Sequence, residues 1–144
     1  MTIKRYLLVA AFILLAYCNA LAGGVGTWKN YLAYSDVQWV EEGSNKLYVL
    51  ASNSLYTYNK NDQSIKTYDK VNGLSDTDIR FIAWNKTARR LVIIYSNNNI
   101  DLLDDRGNVT NVPDYYLKTT MADKTVNGID MSGVYCYLST GFGL

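Results

Sequence analysis

One unit recurs along this chain, and the recurrence narrows the folds open to it more than any other feature. The unit opens on an apolar pair three residues apart: Val37 and Val40, then Ile79 and Ile82, then Val126 and Ile129. Ile79 lies 42 residues after Val37, and Val126 lies 47 residues after Ile79. An apolar run follows each pair: Leu47-Tyr48-Val49-Leu50, Leu91-Val92-Ile93-Ile94 and Val134-Tyr135-Cys136-Tyr137. A polar turn comes next, at Ser52-Asn53-Ser54, Ser96-Asn97-Asn98 and Ser139-Thr140-Gly141. The first two units add a third run, Leu55–Tyr58 and Ile100–Leu103, and a fourth, Ser64–Tyr68 and Val109–Val112. Four short strands every 40 to 50 residues or so is the spacing of a β-propeller blade. A single four-stranded sheet cannot bury both of its faces, whereas radial stacking of blades buries them. A two-sheet sandwich also has many short strands, but aligned repeats at this period favour the propeller.

The local pattern is that of strands throughout. No window of 11 or more residues keeps a helical period. Expected strands are Val37–Glu41, Leu47–Ala51, Leu55–Asn59, Ser64–Tyr68, Ile79–Trp84, Leu91–Tyr95, Ile100–Leu103, Val109–Val112, Val126–Asp130 and Val134–Leu138. The turns Glu42–Asn45, Asn59–Asp62, Ser96–Asn98 and Asp104–Asn108 carry residues that tolerate positive φ. Pro113, the sole proline, falls just past a strand, where a missing N–H costs little. The fold class is therefore all-β: antiparallel four-stranded blades of an incomplete propeller, over about 37–69, 79–113 and 126–144.

Residues 1–22 read as a secretory signal peptide. Lys4 and Arg5 precede an apolar run of 12 residues, Tyr6–Tyr17, short of the roughly 20 that span a bilayer. Ala20-Leu21-Ala22 fits a small-x-small cleavage site, which starts the mature chain at Gly23 and leaves 122 of 144 residues with no membrane span. Mature residues 23–144 carry 12 basic and 13 acidic side chains, a net charge of −1. That balance gives no reason to expect a nucleic-acid partner. Cys18 leaves with the signal, so no internal disulfide can form, and Cys136 in its apolar run reads as a buried, inert thiol. With no histidine, a Ser-His-Asp triad, a Cys-His pair and a His-ligated zinc are excluded within the chain.

Asn72-Gly73-Leu74-Ser75-Asp76, followed by Ile79 and Ile82, resembles the inter-blade signature of regulator-type propellers on bacterial surface sensors. Leu138–Leu144 is similar to the turn between the second and third strands of the same repeat. The opening Gly26–Val37 and the stretch Leu50–Tyr56 resemble the amino-terminal propeller of PorZ-type proteins of Bacteroidota, and the likeness covers residues 23–144. The resemblance implies a recognition or scaffold domain within a much longer exported protein, an accessory of type IX secretion held at the cell surface. Related propellers form the sensor of hybrid two-component regulators, which implies oligosaccharide binding as the alternative. Trp28-Lys29-Asn30-Tyr31 aligns with the fourth strand of a blade, and the third unit stops short at Leu144, so the chain reads as truncated. The expected partners are the remaining blades or domains, and a surface protein or glycan.

Several residue groups invite sharper readings. Asp101, Asp104, Asp105 and Asn108 on one hairpin offer oxygen ligands for calcium, but without the alternate acids of a dedicated loop. Paired acids, Asp104 with Asp105 and Asp76 with Asp78, suit acid and base work on a glycan, yet aspartates also populate turns for local bonding. Catalytic, cofactor-binding and metal residues are therefore expected to be none, and the protein is read as no enzyme. Tyr48, Tyr56, Tyr58, Tyr68, Tyr95, Tyr135 and Tyr137 fall on strands and are expected to pack between blades, with Tyr115 and Tyr116 exposed in the connection Asp114–Thr125. The sequons Asn85-Lys86-Thr87 and Asn108-Val109-Thr110 read as plain turns, and Arg89-Arg90 as a solvated hairpin tip.

Overall fold

The computed structural model describes residues 34–143. The expected signal peptide (residues 1–22), the leading segment Trp28–Tyr31 and Leu144 lie outside the described residues. Ten strands follow in order: β1 (Val37–Glu42), β2 (Lys46–Ala51), β3 (Ser54–Asn59), β4 (Ile65–Tyr68), β5 (Ile79–Asn85), β6 (Arg90–Tyr95), β7 (Ile100–Asp104), β8 (Val109–Asn111), β9 (Val126–Ser132) and β10 (Tyr135–Thr140). They form two antiparallel four-stranded meanders, β1-β2-β3-β4 and β5-β6-β7-β8, and a two-stranded sheet of β9 and β10. The fold is thus all-β and built of propeller blades. Each expected strand is present, shifted at its ends by one or two residues.

One short helix, α1 (Asp114–Leu117), was not expected; it begins at Pro113 and occupies the connection to the third sheet. Four residues make a single turn, too short for helical periodicity to register in a sequence.

The apolar pairs at i and i+3 have a structural cause. In a regular strand, residues three apart point to opposite faces. Val37 pairs with Ala51 and Trp39 with Leu50, so Gln38 is an extra residue. Arg80 is extra in the same way between Ile79, opposite Tyr95, and Phe81, opposite Ile94. Asn127 is extra between Val126, opposite Thr140, and Gly128, opposite Ser139. Each bulge resets the alternation and returns both members of the pair to one face.

That face is the one turned to the preceding blade. Ile79, Ile82 and Trp84 join Leu91, Ile93, Tyr95 and Leu103 against Tyr48, Leu50, Leu55 and Tyr68 of the first blade. Tyr48 stacks on Trp84 with ring centroids 5.2 Å apart. The other face of the second blade, Val92, Ile94 and Ile100, packs on Val126, Ile129, Met131, Cys136 and Leu138. The second blade is buried on both faces, so β6 reads as an unbroken apolar run. Among the described residues, the first and third blades have no such core cluster on their far sides. Val37 and Val40 are 53% and 50% exposed, and Tyr135 and Tyr137 are 66% and 45% exposed.

The connection between the first two blades is tightly bonded. Asn72 Oδ1 accepts from the Asp69 N–H at 2.7 Å, and the Asp69 carbonyl accepts from the Leu74 N–H at 2.9 Å. Gly73 sits at φ 126°, and Leu74 plugs the inter-blade core. Ser75 donates its N–H to Asp101 Oδ2 at 2.8 Å. Of the turns expected to use positive φ, Asn98 (68°) and Gly107 (93°) do so. The turn 42–45 does not: Gly43 is needed for space, because a Cβ there would lie 2.7 Å from the Tyr48 ring. In the turn after β3 the left-handed residue is Gln63, one past Asn59–Asp62.

Candidate functional site

The first strands β1, β5 and β9 lie side by side, each at the edge of its own sheet. A cleft of about 510 Å³ runs along them, lined by Gln38, Trp39, Glu41, Leu50, Asn53, Arg80, Phe81, Ile82, Ala83, Gly128 and Ile129. Two of the three bulge residues, Gln38 and Arg80, stand at equivalent positions on its wall. Bulges re-aim side chains next to sites, and here they supply the polar end of the cleft.

Most polar groups in the cleft already hold partners. Gln38 Oε1 accepts from the Asn53 N–H at 3.0 Å, and Gln38 Nε2 donates to Asn53 Oδ1 at 3.2 Å. Asn53, at φ 58°, also ties the blades together: its carbonyl accepts from the Ile79 N–H at 2.9 Å and its Nδ2 donates to the Ile79 carbonyl at 3.3 Å. Trp39, 57% exposed, donates Nε1–H to Glu41 Oε1 at 2.7 Å. Glu41 Oε2 reaches across to accept from the Trp84 N–H at 3.2 Å. Arg80 is exposed and lies against the Phe81 ring, 5.3 Å from its centroid. Among the described residues no carboxylate forms an ion pair with it.

The aspartates picked out by sequence do not converge. Asp101 is fully buried on the inter-blade face, where Oδ2 accepts from Tyr95 Oη at 2.6 Å and Oδ1 from Asn111 Nδ2 at 2.9 Å. Burial, with the bond to Asp101 behind it, pushes the Tyr95 hydroxyl well above the ordinary tyrosine value. Asp104 serves its own turn, accepting from the Asn108 side chain at 2.9 Å and from the Asn108 and Arg106 N–H groups at 2.8 and 2.9 Å. Those bonds, the Asn108 side chain first, hold its carboxyl below the usual range. Asp105 pairs with Arg89 at 2.5 Å. Asp76 is bonded by the Thr77 N–H at 2.9 Å and by Asn97 Nδ2. No group of three or more acids and cysteines that could hold a metal occurs among the described residues.

Several sequence expectations are corrected. Tyr48, Tyr68 and Tyr95 are buried between the blades and Tyr56 and Tyr58 half-buried, but Tyr135 and Tyr137 face out. Both lie on the side of β10 opposite the inter-blade core. Tyr116 is exposed, whereas Tyr115 is half-buried in the second core cluster and donates its hydroxyl to the Lys124 carbonyl at 2.7 Å. Cys136 is half-buried rather than buried, and burial followed by Asp130 raises its thiol pKa. Asn85 of the first sequon is buried, donating Nδ2 to the Tyr135 carbonyl at 3.4 Å, which leaves it closed to modification. The cleft residues Gln38, Trp39, Glu41 and Arg80 were not singled out from sequence. The usable signal was a polar residue immediately inside each apolar pair.

Comparison with known proteins places this architecture. Residues 47–144 match the family described as the type IX secretion PorZ N-terminal β-propeller domain. The structure of PorZ from Porphyromonas gingivalis, described as an essential surface component of the type IX secretion system, superposes with a TM-score of 0.73 at 36% identity. That match covers 79% of this chain and 15% of PorZ. The extracellular domain of a one-component system from B. thetaiotaomicron superposes with a TM-score of 0.58 at 17% identity, covering 81% of this chain and 16% of that one. Comparison with curated proteins finds no match.

Proposed function

The chain belongs to the family of PorZ amino-terminal β-propeller domains, and from that premise we propose that it is an exported, non-catalytic scaffold and recognition element of a type IX secretion accessory at the cell surface. The observation that carries the reading is the 36% identity to PorZ over 79% of the chain. The paired acids, once candidates for catalysis, are spent on turns and on the inter-blade seam, which supports the non-catalytic part of the reading. No helix among the described residues is long and apolar enough to cross a membrane.

The exposed Val37 and Val40 of the first blade and Tyr135 and Tyr137 of the third suit an arc of a larger propeller, with further blades as the immediate partners. Likeness to the B. thetaiotaomicron domain, at 17% identity, is a likeness of fold and brings no ligand to this chain. The test is deletion of the gene in the producing bacterium, followed by fractionation of proteins bearing a type IX sorting tail. Such cargo should vanish from the surface and accumulate in the periplasm. Unchanged surface display would overturn the proposal.

A further inference from the structure

We propose that the cleft along β1, β5 and β9 binds a short, free-ended peptide in extended form, with its C-terminal carboxylate on Arg80 and its amino group toward Glu41. The two charges are separated along the strands, because Glu41 accepts from the N–H of Trp84, four residues beyond Arg80 on β5. Arg80 occupies the bulge position of β5, which corresponds to Gln38 on β1, and Glu41 lies three residues farther along β1. Three residues of strand span about 10 Å, and an extended tripeptide spans about the same. The volume of about 510 Å³ leaves room for side chains over the apolar floor of Leu50, Phe81 and Ile129.

The state of the polar groups selects this class over a sugar. A saccharide needs many convergent donors and acceptors, yet Gln38 and Asn53 satisfy one another and Trp39 Nε1 is committed to Glu41. What remains is a guanidinium with no ion-pair partner among the described residues, presenting a fork suited to a carboxylate. Asp123 feels the Arg80 charge but is held by the Thr125 N–H at 2.9 Å. Glu41 spends one lone pair on each oxygen and keeps others for an ammonium group. β1, β5 and β9, each the edge strand of its sheet, all contribute residues to the lining, and strand edges are where extended peptides are recognised.

This inference is independent of the secretion role, and its test does not use secretion as a readout. The exported protein, as its own cell produces it, is titrated calorimetrically with the tripeptide Ala-Leu-Phe, its C-terminal amide and its N-acetyl form. On the unaltered protein both modified forms should bind at least tenfold more weakly than the free peptide. Arg80→Gln should abolish the discrimination against the amide only, and Glu41→Gln the discrimination against the acetyl form only. Equal binding of free and amidated peptide would overturn the assignment, as would an Arg80→Gln loss shared equally by both. Absence of tripeptide binding up to millimolar concentration, with or without binding of a uronic-acid disaccharide, would overturn it too.

Discussion

At the scale of the residue, Asp101 anchors the inter-blade connection to the second blade. It lies on the strand face that alternation turns inward, and three donors from three segments converge on it: Ser75, Tyr95 and Asn111. Asp101→Ala leaves these donors facing an apolar core, and the expected loss is on the order of 3 kcal/mol of stability. A denaturation midpoint that hardly moves would contradict that role. Cys136 gives a second prediction. Because burial raises its pKa, the thiolate forms only at higher pH than for a free cysteine. Alkylation at pH 7 should therefore be markedly slower in the folded protein than in the denatured chain, and the gap should narrow as pH rises. Equal rates in both states would show the thiol to be open. From sequence, Asp101 looked like one more hairpin acid beside Asp104 and Asp105. Only the register of β7 separates a seam residue from a turn residue, and register depends on a partner strand.

At the scale of the element, the bulge is the repeating device. It converts a three-residue spacing into a shared face, directs Ile79 and Ile82 into the core, and lifts Arg80 onto the cleft wall. The spacing was visible in the sequence three times, but its meaning was not. Seen along one chain it suits a helix as readily as a bulged strand, and the extra residue exists only relative to β2, β6 or β10. The turn 42–45 shows a similar limit. A glycine there suggested positive φ, while its actual function is to admit the Tyr48 ring. Tyr48 is fixed between blades against Trp84, so its ring cannot swing clear. Gly43→Ala should cost about 1–3 kcal/mol by overpacking, measurable as a fall in the melting midpoint with the Tyr48–Trp84 stack displaced in near-ultraviolet dichroism. No change in either signal would mean that the turn relaxes freely.

At the scale of the whole molecule, burial is asymmetric. The second blade has apolar neighbours on both faces, whereas Val37 and Val40 on one side and Tyr135 and Tyr137 on the other face outward. Residues 23–144 produced in isolation should accordingly self-associate or melt over a broad range. Scanning calorimetry with light scattering checks this. A sharp two-state transition of a monomer would show that the arc is a closed unit in its own right.

What the sequence determined by itself was the periodic part: strands, their order, turns, and the blade as the unit. Alternation and repeat length are local properties, set by the geometry of the pleat and written in consecutive residues. What only the tertiary structure decided was which face each strand shows to which neighbour. That choice buried Asp101 and Asn85, exposed Tyr135 and Tyr137, and brought Trp39, Glu41 and Arg80 to one cleft. Glu41 and Arg80 stand 39 positions apart in the chain. Their meeting depends on two bulges in register and on the stacking of one blade upon the next, a relation between sheets that no single segment encodes.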